Sequence, residues 1–423
     1  MAPPAFRVEL DAVYFSSSDP KFDGGGARLA PILDMSPHYR PDSKFVRFSR
    51  RPLRDRVDPM EDQMASHVSQ TIHNGLSKLP QSHRGEVCPP GGDPILSQYQ
   101  EWKANSNMRA VDEDITPANQ GVGVTVESPI MYATEPSFRE VEAVSNLLRA
   151  TCRAAVPISC RLRVIVSAAS EKPPLLTLKR MTAICWASDQ ILQQMHPVSC
   201  YHERFYKGPR ETTDLAQGEE AEQLGADAMT WQGISIQEYI NKAQPKRLST
   251  KFDRVLSRDT YNAILCDMDQ NLNNIFHFND DLYDHRRDSE RSSEATKGPD
   301  ILNGAIQLLN CRDNDAVSCF MRRNFDKEYC YYPRFDGSQE EGCLRPTVDF
   351  TKASGSLDGY WVSTHAKICV GVVRFAADAA DGNLWRLIYD CHVANADPAR
   401  YDIFDLLLDL GLAKEAETVQ RRA

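Results

Sequence analysis

Four short stretches, residues 7–11, 123–129, 159–166 and 347–351, alternate apolar with polar or charged residues. In a strand, residues i and i+2 share a face. The alternation therefore predicts four strands that turn Glu9 with Asp11, Thr125 with Glu127, Arg161 with Arg163, and Thr347 with Asp349 and Thr351 away from the apolar side. Elsewhere the apolar period is three to four residues. Met60, Met64, Val68, Ile72, Leu76 and Leu79 predict a helix ending near Pro80. Phe138, Val141, Val144, Leu148 and Cys152 predict a second, with Ser137 and Glu140 at capping-box spacing. Leu178 to Met195 reads as a third helix, Trp361 to Ala376 as a fourth, and residues 402–422 as a closing helix pair. Strands separated by long helical and irregular stretches predict an α+β fold, with a curved, mainly antiparallel sheet covered by helices on one face.

Between these elements the pattern lapses. Asp23-Gly24-Gly25-Gly26 is a break, residues 37–59 form an arginine-rich linker, and Pro89-Pro90-Gly91-Gly92 marks a loop. Residues 280–300 are dense in Asp, Arg, Ser and Glu without an apolar period, which predicts a disordered or mobile insertion. The whole, residues 1–423, reads as one domain, with insertions at 31–100, carrying one helix, and at 211–340. There is no Gly-x-Gly-x-x-Gly turn, no Walker-type loop and no internal repeat.

Composition narrows the classes. The 41% hydrophobic content of 423 residues is enough for a full core. No run of eighteen apolar residues spans a bilayer, and the first residues lack the basic and apolar regions of a secretory signal, so no membrane partner is expected and the default compartment is the cytosol or nucleus. Twelve cysteines in such a chain read as small buried hydrophobes and free thiols. Cys311, Cys319, Cys330 and Cys343 lack the paired two-residue spacing of a zinc site. A net charge of −10 disfavours nonspecific attraction to nucleic acid. Residues 44–56 interleave five arginines with Phe45 and Phe48, a mix able to stack bases but more simply a solvated loop. His277 and His285 flank three aspartates as the composition of an acidic loop would place them.

The four alternating stretches, in this order, resemble the fungal putative amidoligases, a branch of the glutamine synthetase and glutamate–cysteine ligase superfamily. Relatives open with Gly-Val-Glu-Leu-Glu where this chain has Arg7-Val8-Glu9-Leu10-Asp11. Their Gly-Val-Glu-Leu-Val-Ser-Pro-Ile becomes Gly123-Val124-Thr125-Val126-Glu127-Ser128-Pro129-Ile130, with Thr125 at the acid. In the frame Ser-Cys-Gly-Leu-His-Val-His-Val, Arg161 replaces the glycine, and Arg163 and Ile165 replace the histidines. Asp349 keeps the acid of the last motif, but its arginine and histidine are Thr351 and Ala353, before Gly355-Ser356-Leu357-Asp358. The stretch 181–210 and the tail 361–422 also resemble the family, with Cys200 at a usual arginine.

The resemblance implies a glutamine synthetase-like catalytic fold and an ATP-dependent ligase joining a small-molecule carboxylate to an amine or peptide through an acyl phosphate, with Mg²⁺ and ATP as cofactors. It assigns Glu9, Asp11, Glu127 and Asp349 to the metal, Arg163 and Arg161 to catalysis as phosphate clamps, and Thr125, Thr351, Lys352 and Arg210 to the substrate. Arginine supplies donors and no lone pair for a metal, so the losses equally predict a pseudoenzyme that keeps the cleft. The structural alternative is that Arg163 pairs with Glu127 or Asp349 across adjacent strands. A third expectation is a non-enzymatic interaction protein acting through its charged insertions.

Overall fold

The computed structural model describes residues 4–17, 33–34, 59–89, 99–107, 120–157, 159–167, 174–196, 208–217, 230–231, 234–235, 299–312, 314–321, 332–334 and 347–422. The arginine-rich stretch 44–56, the acidic stretch 280–298, both loop histidines, Cys330 and Cys343 lie outside them. The chain divides into two compact units, Met1–Lys172 with Asp336–Val370, and Pro173–Phe335 with Gly371–Ala423.

Among the described residues, five longer strands run through the sheet of the first unit, β1 (Ala5–Ser17), β2 (Lys103–Ser106), β3 (Gln120–Glu127), β4 (Arg161–Ser167) and β5 (Thr347–Ser354), and the two-residue strands Leu33–Asp34, Met131–Tyr132 and Ala154–Ala155 pair with β1. The spatial order of the longer strands is β5-β4-β1-β3-β2, and each neighbouring pair is antiparallel. A short parallel pairing of Leu33–Asp34 with the end of β1 makes the sheet mainly antiparallel. The curvature expected from the sequence is corrected: the sheet is not strongly curled. Bulges are what bend antiparallel strands, and the ladders among these five strands carry one register shift, between Phe350 and Ala353 on β5.

The helices include α1 (Pro59–Leu76), α2 (Glu135–Thr151), α3 (Leu175–Ala187), α4 (Ile301–Asn310), α5 (Gly359–Asp378), α6 (Asp381–Ala396), α7 (Ile403–Asp409) and α8 (Ala413–Arg422). In the first unit the even residues of β1, Phe6, Val8, Leu10 and Ala12, are fully buried on the apolar face. α2 packs there, with the Phe138 ring stacked 4.8 Å from Phe6. α1 lies against α2, β2 and β3, burying Met64, Val68 and Ile72 at intervals of four.

α2 starts earlier than the capping-box spacing predicts. Thr134 is the residue before its first turn, Ser137 lies within that turn, and the Thr134 and Ser137 hydroxyls are 3.0 Å apart. Glu140 is thereby released from capping and turns to the partners described below.

In the second unit the single helix expected over 178–195 is broken at Ser188, whose hydroxyl donates to the Ile184 carbonyl at 2.7 Å, and a short helix Asp189–Gln193 follows. Arg180 on α3 ties down the start of α6, donating to the Ala379 carbonyl at 2.9 Å and to Asp381 at 2.5 Å. The closing pair α7–α8 turns at Gly411, whose φ of 78° is the left-handed conformation that glycine adopts without a Cβ penalty. Among the described residues no helix is long and apolar enough to cross a membrane. Cys88, Cys152, Cys160, Cys185, Cys311, Cys369 and Cys391 are buried free thiols.

Candidate functional site

The central position of β1 decides what meets on the polar face. Its register sets Glu9 opposite Glu127 of β3 on one side and Arg163 of β4 on the other. Asp11 faces Thr125, and Asp349 of β5 faces Ile165 of β4. Directly paired residues share a sheet face. Glu9, Asp11, Glu127, Arg163 and Asp349 therefore come together from four strands on the side opposite the Phe6 face, as the alternation predicts. On β5 the bulge interrupts the alternation, since Phe350 pairs with Val164 but Ala353 with Leu162.

Arg163 lies at the centre of the cluster. One terminal nitrogen donates to Glu9 Oε2 at 2.5 Å and the other to Asp349 Oδ2. Arg7 donates to the remaining Glu9 oxygen, Oε1. The same Arg7 guanidinium lies 4.0 Å over the Tyr99 ring and 3.6 Å from Glu127. Both oxygens of Glu9 are thus held by guanidinium groups, while Glu9 and Asp349 are each only 5% exposed. Burial alone would lower the Arg163 pKa, but the facing Asp349 and Glu9 carboxylates raise it above the usual arginine value. Of the two partners suggested by sequence for Arg163, Asp349 is correct. Glu127 is not, because β1 separates β3 from β4, and Arg7 approaches it instead.

Asp11 has a different environment. Its Oδ1 accepts from the Thr125 hydroxyl at 2.6 Å and from the Asn107 amide at 3.1 Å, and Asn107 also donates to Thr125 at 2.9 Å. Burial raises its pKa, against the hydrogen bonds from Thr125 and Asn107 and the charge of Arg161. Thr125, expected at the substrate, is therefore occupied with Asp11.

A divalent cation does not fit this donor set. Mg²⁺ requires free carboxylate oxygens at about 2.0–2.1 Å in octahedral array, whereas a guanidinium stands between Glu9 and Asp349. Among the described residues no three acidic, histidine or cysteine side chains are grouped to hold a metal. Of the four acids the resemblance assigns to a metal, Glu9, Asp349 and Glu127 instead meet guanidinium groups, and Asp11 is held by the Thr125 hydroxyl and the Asn107 amide.

Of the remaining expected residues, Arg161 lies near enough to Asp11 for its charge to act on that carboxyl, and the others are dispersed. Arg161 pairs in register with Ser354, and Thr351 is 3% exposed beside the bulge. Lys352 lies on β5 with its side chain outside the described residues. Arg210 belongs to the second unit, where its backbone N–H donates to Asp189 at 3.2 Å and its guanidinium to Asn395 at 3.0 Å. Burial lowers its pKa against the opposing Asp189 charge.

Sequence reasoning missed Arg7, Asn107 and Glu140. The signal for Arg7 was present, two residues before Glu9 on the same face. Asn107 follows β2, a strand with no clear alternation. Glu140 is 6% exposed and accepts from the Trp102 indole at 2.8 Å and the Gly85 N–H at 2.7 Å. It borders a cavity of about 310 Å³ with Arg84, Gln100, Glu101, Trp102 and Pro129.

Several motif residues hold the sheet rather than a ligand. The Ser128 hydroxyl accepts from Val8 N–H at 2.8 Å, and the Ser128 N–H donates to the Val8 carbonyl at 2.9 Å, pinning β3 to β1. Cys160 packs on Val13, Phe15 and Val156. Gly355 donates to the Cys160 carbonyl at 3.0 Å, so close that a Cβ would lie 2.9 Å from that oxygen. Asp358 caps α5 by accepting from Tyr360 N–H at 3.2 Å. No protein-family model, curated protein or solved structure matches the chain.

Proposed function

We propose that this chain is a divergent amidoligase-like protein, with a glutamine synthetase-like fold, that keeps the polar sheet face as a ligand surface and has lost Mg²⁺- and ATP-dependent ligation. The observation that supports it is a division among the motif positions. Those that do structural work, Ser128, Cys160, Gly355 and Asp358, keep the residues of the resemblance. The chemical positions are filled by side chains that close the face: Thr125 binds Asp11, Ile165 is buried, Arg163 binds two carboxylates, and Thr351 and Ala353 are buried.

Ligation through an acyl phosphate needs fixed positive charge where negative charge develops, and losing one such donor costs about a hundred- to a thousandfold in rate. The losses at Ile165, Thr351 and Ala353 together should reduce turnover below detection. The test is ADP release from Mg²⁺–ATP with amino-acid carboxylates and amines, accompanied by thermal shift for nucleotide binding. No release dependent on both substrates is expected. Robust release that needs both and disappears in Glu9→Gln would overturn the reading.

A further inference from the structure

We infer that Arg163 is a built-in cation occupying the place between Glu9 and Asp349 that a divalent metal would require, so that this face assembles without a metal and excludes one. The inference rests on the geometry of the face and stands whether or not the chain descends from ligases. Glu9 and Asp349 come from strands that are not neighbours, with β4 between them, and they meet at the two terminal nitrogens of one guanidinium. Two nearly buried carboxylates brought together repel each other and need a shared positive charge. A divalent ion would supply it from solution. Arg163 supplies it covalently, from the strand between the two acids.

Exclusion follows from charge and from geometry together. A cation entering beside Arg163 meets a fixed positive charge at short range in a poorly screened site. It would also have to displace Arg7 and Arg163 from the oxygens of Glu9. Arg163 itself is 24% exposed. Removing its side chain therefore leaves a vacancy open to solvent, flanked by two carboxylates that can close on a hard cation.

The experiment is a titration with Mn²⁺ alone, in the absence of nucleotide, read by loss of the free-ion electron paramagnetic resonance signal and by melting temperature. The wild-type chain should show no Mn²⁺ uptake that Glu9→Gln removes, up to about 1 mM, the weak end of oxygen-ligand sites. Arg163→Ala should melt lower by about 10 °C without metal. On titration it should take up one Mn²⁺ per chain, at least about tenfold more tightly than wild type, and regain part of the lost melting temperature. Arg163→Lys, which keeps the charge, should take up none.

Stoichiometric uptake by wild type that Glu9→Gln abolishes would overturn the inference. So would a folded Arg163→Ala chain that binds no Mn²⁺, or an unfolded one that Mn²⁺ does not restore. Because nucleotide is absent throughout, these outcomes are separate from the turnover assay, which bears on the ligase reading alone.

Discussion

Glu9 and Asp11 stand two residues apart on one face of one strand, 5% and 7% exposed, yet the protein accommodates their carboxyl groups in opposite ways. Around Glu9 two guanidinium groups occupy both oxygens. Around Asp11 the direct partners are a hydroxyl and an amide, and burial raises its pKa despite them. Equal burial thus does not mean an equal electrostatic environment. A fixed opposite charge in contact can offset desolvation, whereas neutral donors offset only part of it.

The comparison is broken most severely at Arg163. Arg163→Met should cost about 3–5 kcal/mol, because Glu9 and Asp349 are left buried without their shared cation. Urea denaturation followed by circular dichroism would measure it. A loss below about 1 kcal/mol would mean that the pair is effectively solvated. Adding Glu9→Gln to that variant should recover part of the loss, since Glu9, although still met by Arg7, then no longer repels the nearby Asp349.

Glu140 sharpens the contrast with a third solution, a buried carboxylate held by a backbone and an indole N–H. Glu140→Gln replaces one acceptor oxygen with a donor that must face one of those N–H groups. The expected cost is about 1–3 kcal/mol, that of an unsatisfied buried donor. The change in Trp102 fluorescence would report whether its indole partner is the one lost.

At Asp11 the sign reverses. A carboxyl group whose folded pKa is raised binds protons in the native state at pH values where the unfolded chain has released them. Its stabilising contribution is complete below the ordinary value of 3.8 and is lost as pH rises through the folded pKa. Asp11→Asn keeps an acceptor for Thr125 and Asn107 and removes the ionisation. The variant should be more stable than wild type at pH 7, and the advantage should vanish on acidification below that ordinary value. Paired urea curves across pH would test this, and an advantage independent of pH would exclude ionisation as its cause.

The smallest effect belongs to Glu127, whose side chain is 21% exposed and 3.6 Å from Arg7. Glu127→Gln should change stability by less than about 1 kcal/mol, in the manner of a solvated pair. A larger loss would place Glu127 inside the Glu9 network rather than at its margin.

Much of the fold was legible from local pattern. Alternation at Arg7, Glu9 and Asp11 against Phe6, Val8 and Leu10 specifies both a strand and its two faces, because the pleat has period two. The same holds for Arg161 and Arg163 against Leu162 and Val164. Met64, Val68 and Ile72 specify α1 through the helical period, and the helix ends at Leu76, just before Pro80. The break at Ser188 was less legible, since buried residues continue on both sides of it and the hydroxyl bond to Ile184 leaves no mark in the apolar period.

What the sequence determined by itself was which side chains could share the polar face; which of them touch was decided only by the tertiary structure. Strand order is a long-range property. Placing β1 between β3 and β4 gives Arg163 to Glu9 and keeps it from Glu127, and bringing β5 beside β4 adds Asp349 from 186 residues away. The same order converts a set of acids that looks suited to a metal into an ion-pair network beside a carboxyl group hydrogen-bonded to Thr125 and Asn107. A side chain's type fixes the interactions it can make, but desolvation and the partners within a few ångströms decide which one it makes, and both are supplied by packing.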